Sequence, residues 1–252
     1  MTQKHPIEIH KISKSFGKKK VLDDVSFTVN AGEIYGLIGL NGVGKTTLIK
    51  IIISLLRQDE GNISIFGQDT HLVKTRRHFS YLPEKFHPSI FLKGKEFLSL
   101  TLSYYGINYS PSAAAELAES LHLPPEVLNV KITKYSKGMV QKLGLLASLL
   151  LNVPLLILDE PMSGLDPNAR ILLKEHLKRY AASGKTVFFS SHILADIEEI
   201  CTQMSVIHNQ KVTFSGTPSH FRQEFTAPSL EHSFLQAIGT EQSAFSLQAG
   251  HS

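Results

Sequence analysis

Ile34-Tyr35-Gly36-Leu37-Ile38-Gly39-Leu40-Asn41-Gly42-Val43-Gly44-Lys45-Thr46-Thr47 joins a short apolar run to a glycine-rich turn that ends in Lys-Thr. Residues 39–46 match G-x-x-x-x-G-K-[ST], the loop that cradles nucleotide phosphates. The glycines lack Cβ atoms, so successive backbone N–H groups can turn inward around an anion. In that pattern Lys45 reaches the β- and γ-phosphates and the Thr46 hydroxyl is a ligand for Mg²⁺. Thr47 to Leu56 reads as a helix whose N-terminus points at the phosphates. Strand, glycine loop and helix, in that order, are what the mechanism requires. The candidate nucleotide-binding residues are Gly39, Leu40, Asn41, Gly42, Val43, Gly44, Lys45, Thr46 and Thr47.

The chain has 252 residues, 42% of them hydrophobic, enough for one large α/β domain or a core with a small subdomain. A net charge of +4 describes an ordinary solvated surface, with no dense basic stripe for nucleic acid. One cysteine, Cys201, excludes an internal disulfide and fits a reducing compartment. Met1-Thr2-Gln3-Lys4-His5-Pro6 leads directly into a strand-like segment and is expected to carry no signal peptide. The longest apolar run, Leu143 to Leu158, is broken by Ser148, Asn152 and Pro154, so no spanning helix is expected.

Outward from the glycine loop, 7–12 and 25–29 alternate as strands do, and 62–67 and 79–82 read as further short strands. The texture changes from about Glu84 to Leu150, where 93–105, 112–121 and 137–150 carry helical periodicity. Leu155-Leu156-Ile157-Leu158 then resumes as a strand buried on both faces. Asn168 to Tyr180 is an amphipathic helix with Pro167 near its start. Residues 186–190 form the next strand, and 204–208 and 211–215 straddle a hairpin-like turn at Asn209-Gln210. After Pro218 a short helix leads into a polar tail.

Residues 155–158 end in two adjacent acids, Asp159 and Glu160, at the C-terminal end of a parallel strand, where such sheets place their ligands. Asp159 is positioned to hold Mg²⁺ through its water shell, and Glu160 to polarise an attacking water.

Together with Tyr135-Ser136-Lys137-Gly138-Met139-Val140-Gln141-Lys142, these motifs make residues 5 to 220 resemble the ATP-binding subunit of an ABC transporter. The resemblance implies a P-loop NTPase (RecA-like) α/β fold: a parallel-sheet core, an N-terminal antiparallel β part and an inserted α-helical subdomain. Its division would be 1–83 with 151–217, then 84–150, then 218–252. It implies that Ser136 and Gly138 contact the γ-phosphate of ATP held by the opposite subunit. Ser163-Gly164-Leu165-Asp166 resembles the loop through which Asp166 reaches across the dimer. His192, after Ser190-Ser191, matches the histidine that senses γ-phosphate, giving Lys45, Glu160 and His192 as catalytic residues. Phe16 stands where an aromatic stacks on adenine, which needs only a π-face. Tyr81-Leu82-Pro83-Glu84 resembles the loop that approaches Mg²⁺, with Glu84 where Gln is usual. Thr46, Glu84 and Asp159 are thus the metal candidates, and ATP and Mg²⁺ the cofactors. Lys137 for Gly, Met139 for Gln, and Glu84 are similar to the branch that pairs with ABC-2-type export permeases.

The partners implied are a second copy of the chain and an integral membrane permease at the cytoplasmic face of the inner membrane. No nucleic acid is expected. Phe86, Phe91, Phe97, Tyr104 and Tyr105 offer either aromatic surface for that permease or subdomain core. A soluble ABC-type ATPase acting on a ribosome, DNA or an assembly scaffold stays open as the alternative.

Overall fold

Alternation places Ile7, Ile9, Val25, Phe27 and Val29 on one face of two adjacent strands. The structure, a computed structural model, describes residues 4–239. Strands β1 (Ile7–Phe16) and β2 (Lys19–Val29) pair antiparallel, with Ile7 opposite Val29 and Phe16 opposite Lys19. They extend the stretches legible from alternation because register shifts let the pairing continue past the breaks in pattern. Strand β4 (Glu60–Ile65) pairs with the other edge of β1, and the two-residue β5 (Gln68–Asp69) completes the order β2-β1-β4-β5. At Gly61 the backbone is left-handed, φ 87°, and a Cβ would lie 2.3 Å from the Lys11 carbonyl oxygen.

The second sheet runs β10-β9-β3-β8-β7-β6. Strands β3 (Ile34–Ile38), β6 (Phe79–Leu82), β7 (Leu155–Asp159), β8 (Thr186–Ser191) and β9 (Gln203–His208) are parallel. Strand β10 (Lys211–Gly216) is antiparallel to β9 across Asn209 and Gln210. Both turn residues have positive φ, 47° and 71°, as a two-residue hairpin requires. Every residue of β3, β7 and β8 is buried. Their period of two divides them between two cores. Tyr35, Leu37, Leu155, Ile157 and Phe188 face the antiparallel sheet and α1 (Lys45–Ile52). Ile34, Ile38, Leu156, Leu158, Val187 and Phe189 face α4 (Lys137–Leu150), α5 (Pro167–Ala182) and α6 (Leu194–Ile200). Stacked rings of Phe27, Tyr35 and Phe188, with centroids 5.4 to 6.1 Å apart, tie the two sheets together. Helix α1 starts two residues earlier than its periodicity predicts and stops at Ile52. There Ser54 turns left-handed, φ 56°, and Leu55 N–H donates to the Lys50 carbonyl at 2.8 Å.

Helices α2 (Gly94–Tyr104) and α3 (Pro111–Ser120) pack on α4, which also lies against β6. Of the five aromatics in this block, Phe86 and Phe97 meet edge-on at 5.5 Å, and Tyr105 donates its hydroxyl to the Phe79 carbonyl. Phe91 and Tyr104 stay exposed. After β10 come α7 (Pro218–Glu224) and α8 (Leu230–Ala237), the latter not evident from pattern. The polar tail from 240 and the first three residues, where the absence of a leader was expected, lie outside the described residues. Among the described residues no helix is long and apolar enough to cross a membrane. Gly61→Ala adds a Cβ against backbone at a left-handed position, so urea unfolding should show a loss of about 2 kcal/mol.

Candidate active site

The glycine loop leaves β3 at Ile38 and enters α1 at Lys45, so strand and helix hold its two ends. Gly44 caps the helix with φ 117°, and a Cβ there would sit 3.1 Å from the Val21 carbonyl oxygen. The Lys45 ammonium turns back under the loop. It donates to the Gly39 carbonyl at 2.7 Å and lies 3.4 Å from Glu160 Oε1. Both side chains are buried.

Strands β7 and β8 lie side by side with Asp159 opposite Ser190, and this register builds the acidic half of the site. The Ser190 hydroxyl donates to Asp159 Oδ1 at 2.6 Å and accepts the Glu160 N–H at 3.0 Å. Glu160 takes a left-handed backbone, φ 50°, which is uncommon outside glycine and concentrates at functional sites. Glu160 Oε2 and His192 Nδ1 lie 2.8 Å apart. The carboxylate accepts, so Nδ1 carries the ring proton in this pair. Burial raises the Asp159 carboxyl above the usual range, although hydrogen bonds from Ser190 and Thr46 oppose the shift. Folding therefore favours the protonated acid: stability falls as pH rises from the free-carboxylate range through the raised pKa of the folded chain and then levels off.

Asn41, Gly42, Gly44, Lys45, Thr46, Thr47, Glu84, Glu160, Ser163 and His192 line one cavity of about 390 Å³. Leu40 and Val43 line an adjoining hollow with Lys20, Val21 and His208. Phe16 lies outside both, half exposed, with the Lys14 ammonium 5.6 Å from its ring centre. Ser136 caps α4, accepting the Met139 N–H at 3.2 Å, and a Cβ on Gly138 would touch the Gly164 carbonyl oxygen. Asp166 caps α5 through the Ala169 N–H. Ser136, Gly138 and Asp166 do not line the cavity of their own chain.

The ABC transporter family model matches residues 22–163 of this loop-and-carboxylate architecture. The chain belongs to the ABC transporter family. An uncharacterized ABC transporter ATP-binding protein of Synechocystis is 35% identical over 85% of the chain, and the match spans 64% of that relative's length. Nod factor export ATP-binding protein I of Burkholderia lata is 34% identical over 84% of the chain and 71% of its own. A solved ATP binding subunit of an ABC transporter superposes with a TM-score of 0.86 at 35% identity, covering 92% of this chain and 98% of that one.

The ABC fold implies a Mg²⁺ ion held with the nucleotide, and the residues fit one. Asp159 Oδ2 is buried without a hydrogen-bond partner, and the Thr46 hydroxyl adjoins the same carboxylate. A few hard oxygen donors suit Mg²⁺, which keeps water and phosphate oxygens as its other ligands. Among the described residues, no three His, Cys, Asp or Glu converge on a metal cage made of protein alone.

Two residues of the site were not singled out from sequence. Ser163 lines the cavity, and its place in Ser163-Gly164-Leu165-Asp166 was the available signal. Ser190 orients both acids, a role visible only once β8 lies beside β7. Ser190→Ala removes the donor to a buried carboxylate, and chemical denaturation should show a loss of about 1–3 kcal/mol.

Proposed function

We propose that this chain is the ATP-binding and ATP-hydrolysing subunit of a transporter, acting as two copies on a separate membrane permease. The observation that carries this is the convergence of Lys45, Glu160 and His192 on one cavity formed by the phosphate loop, with Asp159 buried beside it. The loop N–H groups and the N-terminus of α1 bind phosphate, and Lys45 exchanges the Gly39 carbonyl and Glu160 for phosphate oxygens. That exchange frees Glu160 Oε1. Glu160, still held by His192, then orients and polarises a water for attack on the γ-phosphorus. His192 keeps its second ring nitrogen for the γ-phosphate. Thr46, Asp159 and Glu84 would hold Mg²⁺, which supplies charge neutralisation on the phosphates. Phe16, exposed on the antiparallel sheet, offers its face to adenine.

Ser136 and Gly138 begin a helix whose N-terminus is built for phosphate but stands away from the cavity of its own chain. Two copies set head to tail bring it to the other copy's nucleotide, with Asp166 at the seam. Export through an ABC-2-type permease is supported by the likeness to Nod factor export ATP-binding protein I and by Lys137, Met139 and Glu84. The chain then works as a peripheral protein on the cytoplasmic face of the inner membrane.

Glu160→Gln keeps the shape of the side chain and removes the base. Turnover should fall by about a hundredfold or more while ATP affinity stays within about threefold, measured by phosphate release and by nucleotide titration. Normal turnover in this variant would remove Glu160 from the role of base.

A further inference from the structure

His192 hangs from a segment with its own buried anchor. Helix α6 begins at Leu194, two residues past the histidine, and carries Asp196, whose side chain is 1% exposed. Asp196 Oδ2 lies 2.7 Å from Arg170 Nη2, and Oδ1 lies 2.9 Å from Lys174 Nζ. Both cations stand on α5. Lys174 also pairs with Glu199 of α6. At the start of α5, Asp166 Oδ1 accepts the Ala169 N–H, and Oδ2 lies 3.3 Å from Lys142 Nζ on α4. Lys142 donates in turn to the His122 carbonyl at 3.0 Å. Ion pairs thus tie the helix capped by Ser136 to the cap of α5, and α5 itself to α6, the helix that follows His192.

Stability does not account for this arrangement. Helices α5 and α6 already bury Leu173, Leu177, Ile197 and Ile200. A buried carboxylate between two cations is commonly no more stabilising than apolar residues of the same volume. Charge-assisted hydrogen bonds add direction: they select one rotation and one register of α6 on α5.

We propose that Asp196 is a positioning residue that locks α6, and with it His192, to the helix headed by Asp166. The γ-phosphate histidine and the partner-facing loop then move as one body, and closure of the pair is felt at Glu160 through its bond to His192. The consequence for turnover rests on the ATPase reading above.

The test is Asp196→Asn in the full chain, with Asp196→Glu as conservative rescue and Glu175→Gln, on the exposed side of α5, as a control. Three quantities are measured: kcat, the ATP dissociation constant, and the His192 ring signals in a ¹⁵N-histidine NMR spectrum. Asp196→Asn should lower kcat by about ten- to a hundredfold, leave ATP affinity within about twofold, and shift His192. Asp196→Glu should recover part of kcat, and Glu175→Gln should match wild type. Unchanged kcat with unmoved His192 signals would overturn the proposal, as would a loss of affinity equal to the loss of kcat. If Asp196→Asn does not fold, Arg170→Met removes one arm and leaves Asp196 paired with Lys174; it should give the same split, and wild-type values would overturn the proposal. A wild-type chain without turnover would sink the ATPase reading, whereas the His192 shift would still decide whether Asp196 positions the histidine.

Discussion

Three adjacent parallel strands that must be buried on both faces set the terms for everything else. Because β3, β8 and β7 are neighbours in register, their C-terminal ends open on the same side. The phosphate loop, Asp159 with Glu160, and His192 each follow one of those ends. No side chain reaches far to join the site. The convergence is a property of the sheet, and it rests on the sixteen buried residues of those three strands.

Those strand ends bring together groups that oppose one another. Lys45 lies between a carbonyl and a carboxylate, Glu160 between a lysine and a histidine, and Asp159 is buried with one oxygen unpartnered. A left-handed backbone at Glu160 belongs to the same pattern. The contacts of Lys45 are ones that phosphate would replace, and the unpartnered oxygen of Asp159 is one that a metal would take up, so the site trades local comfort for readiness to exchange partners.

Much of this was legible before the structure. The loop at 39–46, the acids at 159–160 and His192 each sit directly against a buried apolar run, so a linear motif carried its own structural context. Burial of 155–158 on both faces was legible too, since a continuous apolar strand in a parallel sheet needs apolar cover on each side. What escaped had no local signal. Ser190 is an ordinary serine until β7 lies beside it. Asp196 sits on a seven-residue helix, too short for periodicity to reveal, and its partners are 22 to 26 residues upstream. The split among the aromatics of α2, Phe97 packed inward and Tyr104 outside, depended on how the helix is turned against α4.

If the cavity binds a nucleotide as proposed, the balance of charge around Lys45 would select the form in which it arrives. Glu84 and Glu160 share the cavity with that lysine. A bare triphosphate approaching this cluster would meet two acidic side chains beside one ammonium, and their repulsion would offset part of the attraction of the loop. A triphosphate already escorted by a divalent cation brings its own counter-charge to those acids. On that reading the pocket would discriminate by net charge before shape, and a free polyanion of the right size would be disfavoured by the same carboxylates that serve the escorted one.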